Sequence, residues 1–268
     1  MRKLVLVFGV LAAAMTIGLS SASAITDGVP DGNGHPYVGL MVAQDSNGVP
    51  QFRCSGTLLS SRVFLTAGHC TDGVAHVEIW FDQCPIPRGN WAGGSCNGKK
   101  GYPCSGDTGG TPHAHPLYDP NAFFLHDAGV VVLRKAWRTE TYGQLPSANQ
   151  LDALQNGQVF TAVGYGLQAA YPDPASFLTS AIRERLVASP KLLQINTGFT
   201  GDFSMLLSNN ANTGGTCFGD SGGPNFLDAS NVVAGVTSFG LNPTCGGTGG
   251  VFRMDRQNVL DFVNGYLS

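Results

Sequence analysis

Charge is scarce in this chain. Only 12% of its 268 residues are Asp, Glu, Lys or Arg, about half the usual share. That excludes coiled coils and long helical bundles, and it excludes a disordered, highly charged chain. Basic clusters are also missing beyond Arg2-Lys3 and Lys99-Lys100, and the formal net charge is −3. A nucleic-acid binder held by phosphate contacts needs a basic stripe, so nucleic acid is not an expected partner. Long apolar runs are absent apart from Leu4 to Leu19, which is shorter than the ~20 residues a membrane-spanning helix requires. There is no internal repeat and no low-complexity tract.

Glycine and apolar residues fill the space left by charge. The chain carries 37 glycines and is 43% hydrophobic, enough to bury a substantial core. Its first 24 residues read as a secretory signal peptide. Arg2 and Lys3 form the positive start, Leu4 to Leu19 the apolar centre, and Ala22-Ser23-Ala24 the small-residue cleavage site. Removing Arg2 and Lys3 with that leader shifts the formal charge from −3 to −5. The mature chain is then expected to be secreted and free of the membrane. Export places it where disulfides persist. The seven cysteines are an odd number, so at least one is free or joined to another molecule.

Short runs rich in Val, Phe and Thr recur between turn residues. Val38 to Val42, Gly56 to Leu59, Val63 to Thr66 and Val77 to Phe81 read as strands. So do Gly129 to Leu133, Val159 to Val163, Val232 to Phe239 and Gly250 to Met254. No helical period alternates with them, which excludes a βαβ fold. One helix is expected, Arg256 to Leu267, because Val259, Phe262, Val263 and Tyr266 share a face. Cys84 to Asp119 and Gln168 to Phe177 read as long loops, and Leu145 to Leu154 as the connection between two halves.

Three short motifs carry chemistry. Gly219-Asp220-Ser221-Gly222-Gly223-Pro224 places a serine among glycines that allow a tight turn. A serine hydroxyl needs a neighbouring base to become a nucleophile. The same residues satisfy G-x-S-x-G, the nucleophile elbow of α/β-hydrolases, whose histidine follows the serine. The last histidine here is His126, so that reading fails on chain order. His69 is the best base. It follows the run Val63 to Gly68 and precedes Cys70, whose disulfide would fix the ring's position. His113, His115 and His126 lie in or near polar stretches. The third member must be a buried carboxylate that orients the imidazole. Asp127 heads the apolar run Ala128 to Leu133, where an acid is costly to bury unless paired. Asp107 and Asp119 lie in loop-like sequence.

Thr66-Ala67-Gly68-His69-Cys70, Asp127-Ala128-Gly129-Val130 and Gly219 to Pro224 resemble the three signatures of the trypsin/chymotrypsin family of serine endopeptidases. Their order, His then Asp then Ser, is that family's order, whereas subtilisins place Asp before His. Cys54 to Leu58, Val163 to Gly166 and Ser238 to Gly240 match further patches, so the resemblance covers nearly the whole mature chain.

That resemblance implies an all-β fold of two orthogonal six-stranded antiparallel β-barrels with a C-terminal helix, the first about residues 25–145 and the second about 146–268. It implies peptide-bond hydrolysis by Ser221, with His69 as base and Asp127 orienting it, and an oxyanion hole from the amides of Gly219 and Ser221. Gly215 and Thr216 match the floor of the substrate pocket, and Gly240 and Gly250 its walls. Ser238-Phe239-Gly240 would pair with substrate backbone. A pocket without an acid at position 215 favours apolar over basic side chains. The implied disulfides are Cys54–Cys70 and Cys217–Cys245, leaving Cys84, Cys96 and Cys104 for one further bridge. Those three with His113 and His115 are too irregularly spaced for a zinc site, and neither metal nor cofactor is expected. Ile25-Thr26-Asp27-Gly28 resembles the family's activating N-terminus, departing at Thr26 and Asp27, and Asp220 is the carboxylate it would pair with. The partners implied are polypeptide substrates and protein inhibitors, on a monomer. The competing readings are a catalytically inactive binding protein and an esterase on the same fold.

Overall fold

A computed structural model describes residues 25–268 of the chain, and the leader expected at residues 1–24 lies outside the described residues. Fourteen strands and one helix make up its regular structure, together with four short 3-10 turns. The strands are β1 (Val29–Pro30), β2 (Val38–Gln44), β3 (Pro50–Leu58), β4 (Val63–Thr66), β5 (His76–Trp80), β6 (Thr108–Ala114) and β7 (Gly129–Leu133). They continue as β8 (Phe160–Gly164), β9 (Leu186–Ala188), β10 (Leu192–Thr197), β11 (Gly201–Asn209), β12 (Pro224–Leu227), β13 (Val233–Gly240) and β14 (Gly247–Arg253). The helix α1 spans Gln257–Leu267.

Strands β2 to β7 close into a six-stranded barrel in the order β2-β3-β4-β7-β6-β5. The β2 run Val38 to Gln44 is buried at every position, which explains why it reads as a continuous apolar stretch rather than an alternating one. The other strands form an eight-stranded sheet in the order β1-β9-β8-β12-β13-β14-β11-β10. This differs from a simple six-stranded barrel for two reasons. β1 comes from the N-terminal segment and pairs with β9. β9 and β10 are successive pieces of chain separated by Ser189-Pro190-Lys191, the first pairing with β8 and the second with β11. Pro190 cannot donate to a ladder, so the strand breaks there, and an isolated bridge, Val159 to Lys191, joins the chain entering β8 to the chain entering β10.

The stretch read as one long loop, Cys84 to Asp119, contains β6. Its sequence Thr-Gly-Gly-Thr-Pro-His-Ala has little strand propensity. Only Thr108 to Gly110 pair with β5, while Gly110 to Ala114 pair with β7. Pro112 therefore faces its missing N–H toward an unpaired edge, where a strand tolerates proline.

The largest cluster of buried side chains fills the first barrel and crosses to Val163, Tyr165, Phe226 and Val236 of the second sheet. A second cluster, including Phe160, Leu192, Met205 and Val251, fills the second sheet's own interior. Helix α1 buries Val259, Leu260 and Val263. Three disulfides join Cys54 to Cys70, Cys96 to Cys104 and Cys217 to Cys245. Cys84 is an exposed free thiol.

Candidate active site

Strand register sets the histidine and the aspartate beside each other. β4 and β7 are antiparallel, with Thr66 opposite Gly129. The chain leaving β4 therefore emerges where β7 begins. His69 sits in the 3-10 turn Gly68–Cys70 just after β4, and Asp127 lies two residues before β7. The Cys54–Cys70 bridge ties that turn to β3.

Asp127 is fully buried, and its charge is met by directed donors. His69 N–H donates to Oδ1 at 2.8 Å. The ring Nδ1 lies 3.1 Å from Oδ1 and 3.0 Å from Oδ2. Ser238 Oγ donates to Oδ2 at 2.5 Å. An ionised carboxylate only accepts, so Nδ1 must carry the ring proton and Nε2 is left as an acceptor. Ser238 belongs to β13, in the second sheet, so this bond spans the two halves. Ser238 was read in the sequence only as a residue beside substrate backbone, and its link to Asp127 has no local sequence signal.

Ser221 sits in the loop before β12. Its carbonyl accepts from Ser55 N–H at 2.8 Å, and Thr66 Oγ1 donates to Ser55 carbonyl at 2.8 Å. The serine's backbone is thus tied to the strand end that leads to His69. Gly222 has φ +75°, and a Cβ there would collide with Thr66 Oγ1, so both conformation and space demand glycine. No hydrogen bond joins Ser221 Oγ to His69 among the described residues. Catalytic hydrogen bonds in substrate-free structures are often long and tighten on binding. The amides of Gly219 and Ser221 donate to no group among the described residues.

Asp220 is buried completely. Its Oδ1 accepts from Gly166 N–H at 2.7 Å and its Oδ2 from Cys217 N–H at 2.9 Å. The carboxylate presses so closely on Gly164 and Gly166 that a Cβ on either would overlap it, which accounts for the glycines around Tyr165. Burial pushes the Asp220 pKa up to about 7, against the opposing pull of the two amides and of Arg53. Ile25 is buried beside Ala162, Leu186 and Ala188, and Thr26 bridges Gly215. In the uncut chain the Ile25 nitrogen is an amide, and Asp220 has no ammonium partner among the described residues.

A cavity of about 320 Å³ opens beside Ser221, with Thr216, Ser238, Phe239 and Gly240 in its walls. Phe123, Phe218, Asn242 and Thr248 also line it, and no charged side chain does. Thr248 lies two residues before Gly250, hence on the same face of β14. Two matched pocket positions sit elsewhere. Gly215 faces Asn209, and Gly250 lies beneath the Phe239 ring. Neither lines the cavity. Among the described residues the one grouping of metal-ligating side chains is Cys54, His69 and Cys70, and both cysteines are committed to a disulfide.

Known proteins resemble this chain in sequence and in fold. Serine protease 1 of Drosophila melanogaster is 27% identical over 253 residues, which cover 91% of this chain and 83% of that protein. Chymotrypsin of Phaedon cochleariae is 26% identical over 220 residues, covering 81% of this chain and 72% of the relative. Among solved structures, an HL collagenase aligns at TM-score 0.64 and 18% identity over 87% of this chain and 93% of its own. Human heparin binding protein aligns at TM-score 0.61 and 20% identity over 91% and 96%. At these identities the two structures speak for the fold alone. The family model described as Trypsin matches residues 29–263, and the chain belongs to the trypsin family.

Proposed function

We propose that this protein is a secreted serine endopeptidase acting through Ser221, His69 and Asp127. The observation that carries the reading is the fully buried Asp127, bonded to both the main chain and ring of His69 and to Ser238. A carboxylate so held fixes the tautomer in which Nε2 accepts a proton. Ser221 Oγ attacks the scissile carbonyl and passes its proton to Nε2. The amides of Gly219 and Ser221 receive the oxyanion, where loss of one donor typically costs about 3–4 kcal/mol. His69 then protonates the leaving amine, and water hydrolyses the acyl-enzyme by the reverse sequence of proton transfers.

The uncharged cavity supports cleavage after apolar rather than basic residues, because a buried Lys or Arg would find no counter-charge there. Cleavage before Ile25 would free an ammonium for Asp220, converting an unpaired buried carboxylate into an ion pair. Sequencing the N-terminus of active protein tests that step, which requires a start at Ile25. The overall reading is tested by amide hydrolysis of a denatured protein substrate by wild type and Ser221→Ala. Loss of turnover in the variant supports it, and equal turnover excludes Ser221 as the nucleophile.

A further inference from the structure

A second cavity, of about 400 Å³, lies between β3, the segment 88–103 and residues 181–183. Three arginines line it, Arg53 from β3, Arg88 and Arg183, and no acidic side chain does. Aromatic side chains of Trp91 and Tyr102 share the wall. Arg183 is held in place: its Nε donates to Ile86 carbonyl at 2.8 Å, and its guanidinium carbon lies 4.7 Å from the Tyr102 ring centroid. Burial lowers the Arg183 pKa, and Arg88 and Arg53 lower it further by repulsion. The three cations therefore sense one another. The side chains of Arg53 and Arg88 have neither hydrogen bond nor ion pair among the described residues. No carboxylate is bonded to any of the three among the described residues. The buried Asp220 attracts Arg53 only at longer range, so the cluster on a chain of net charge −3 keeps free donors for an anion.

Its position says which anion. Arg53 immediately precedes Cys54, whose disulfide braces the His69 turn. Its Nε lies 3.0 Å from where a Cβ on Gly219 would stand. The arginine pocket thus begins beside Gly219, whose amide is assigned to the oxyanion. The acyl part of a substrate is taken up by the cavity beside Phe239, so the leaving part passes toward Arg53. On the peptidase reading given above, we infer that this pocket binds an acidic side chain of a polypeptide substrate within the first few residues after the cleaved bond. Guanidinium forks pair with carboxylates in a bidentate fashion, which suits Glu or Asp.

The test uses peptides identical up to the cleaved bond, with Glu or Gln at each of the next three positions. Protein expressed from the full chain is compared with Arg88→Gln and Arg53→Gln/Arg88→Gln. The quantity read is the Glu-to-Gln ratio of kcat/KM within each protein, which cancels any general loss of activity. The expected ratio in wild type is about tenfold at one position, the worth of one charge-assisted contact, falling toward one in the double variant. Binding of the same peptides to Ser221→Ala separates the two readings. Glu-selective, arginine-dependent binding without cleavage in wild type supports the pocket and removes the peptidase reading. A ratio of one in wild type overturns the inference. So does a ratio that persists in the double variant, or arginine-dependent binding of a sulfated oligosaccharide with no Glu preference.

Discussion

Asp127 and Asp220 are both fully buried, yet their partners give them opposite roles. Asp127 gathers donors from His69 and Ser238, and its work is to hold an imidazole. Asp127→Asn preserves shape but presents a donor to Nδ1 and favours the wrong tautomer. Amide hydrolysis by that variant should fall on the order of 10⁴-fold in kcat with the fold unchanged by circular dichroism. Asp220 has only amides for hydrogen-bond partners, and burial raises its pKa from 3.8 to about 7. Between those values the unfolded chain releases a proton that the folded chain keeps, so stability falls as pH rises. The uncut chain should lose stability from about pH 4 to pH 7 and then level off. Asp220→Asn should flatten that part of the profile in chemical denaturation, and should leave the cleaved enzyme inactive. At this scale the sequence was informative where a residue type is costly out of context. A serine among glycines and an acid ahead of Val130-Val131-Val132 both stood out. Ser238 did not, because its significance lies in Asp127, which is distant along the chain.

Elements bring these residues together through register rather than through local propensity. The pairing of Thr66 with Gly129 sets His69 against Asp127. The Cys217–Cys245 bridge, closing a separation of 28 residues, ties the loop carrying Ser221 to the turn before β14. Replacing both cysteines by serine should cost about 3–4 kcal/mol of stability on the loop-closure model, read as a lowered midpoint in denaturant. Strands β2, β4, β5 and β7 and helix α1 were legible because their apolar runs are continuous or periodic. β6 was hidden by Gly109, Gly110 and Pro112. β10 shows mostly exposed or half-exposed residues after Leu192. β12 is four residues long and opens on Pro224. In each case pairing with neighbours, not composition, makes the strand.

For the whole molecule, a buried ion pair holds the two sheets in fixed relation. Arg185, fully buried, reaches from just before β9 to the first barrel. Its Nε meets Asp31 Oδ2 at 2.8 Å, and its Nη1 donates to the carbonyls of Phe81 at 3.0 Å and Val38 at 3.2 Å. Burial works to raise the Asp31 pKa, but His35 and Arg185 together hold it below the usual value. Removing one member of such a pair strands the other charge. Arg185→Met should cost about 3–5 kcal/mol, and Arg185→Met with Asp31→Leu less than the single change, as read from unfolding midpoints. None of this was visible in the sequence, where Asp31 and Arg185 are unremarkable charges in unrelated segments. The two-barrel plan was accessible there only through the resemblance, and the position of β1 on the second sheet was not.

The central claim is that Ser221 is a nucleophile because His69 activates it. Exposure of protein starting at Ile25 to a fluorophosphonate, followed by peptide mass mapping, addresses it without choosing a substrate. The account predicts a single adduct on Ser221, absent in Ser221→Ala and strongly reduced in His69→Ala. A folded, correctly started protein that takes no adduct on Ser221, or takes it as readily without His69, would contradict it.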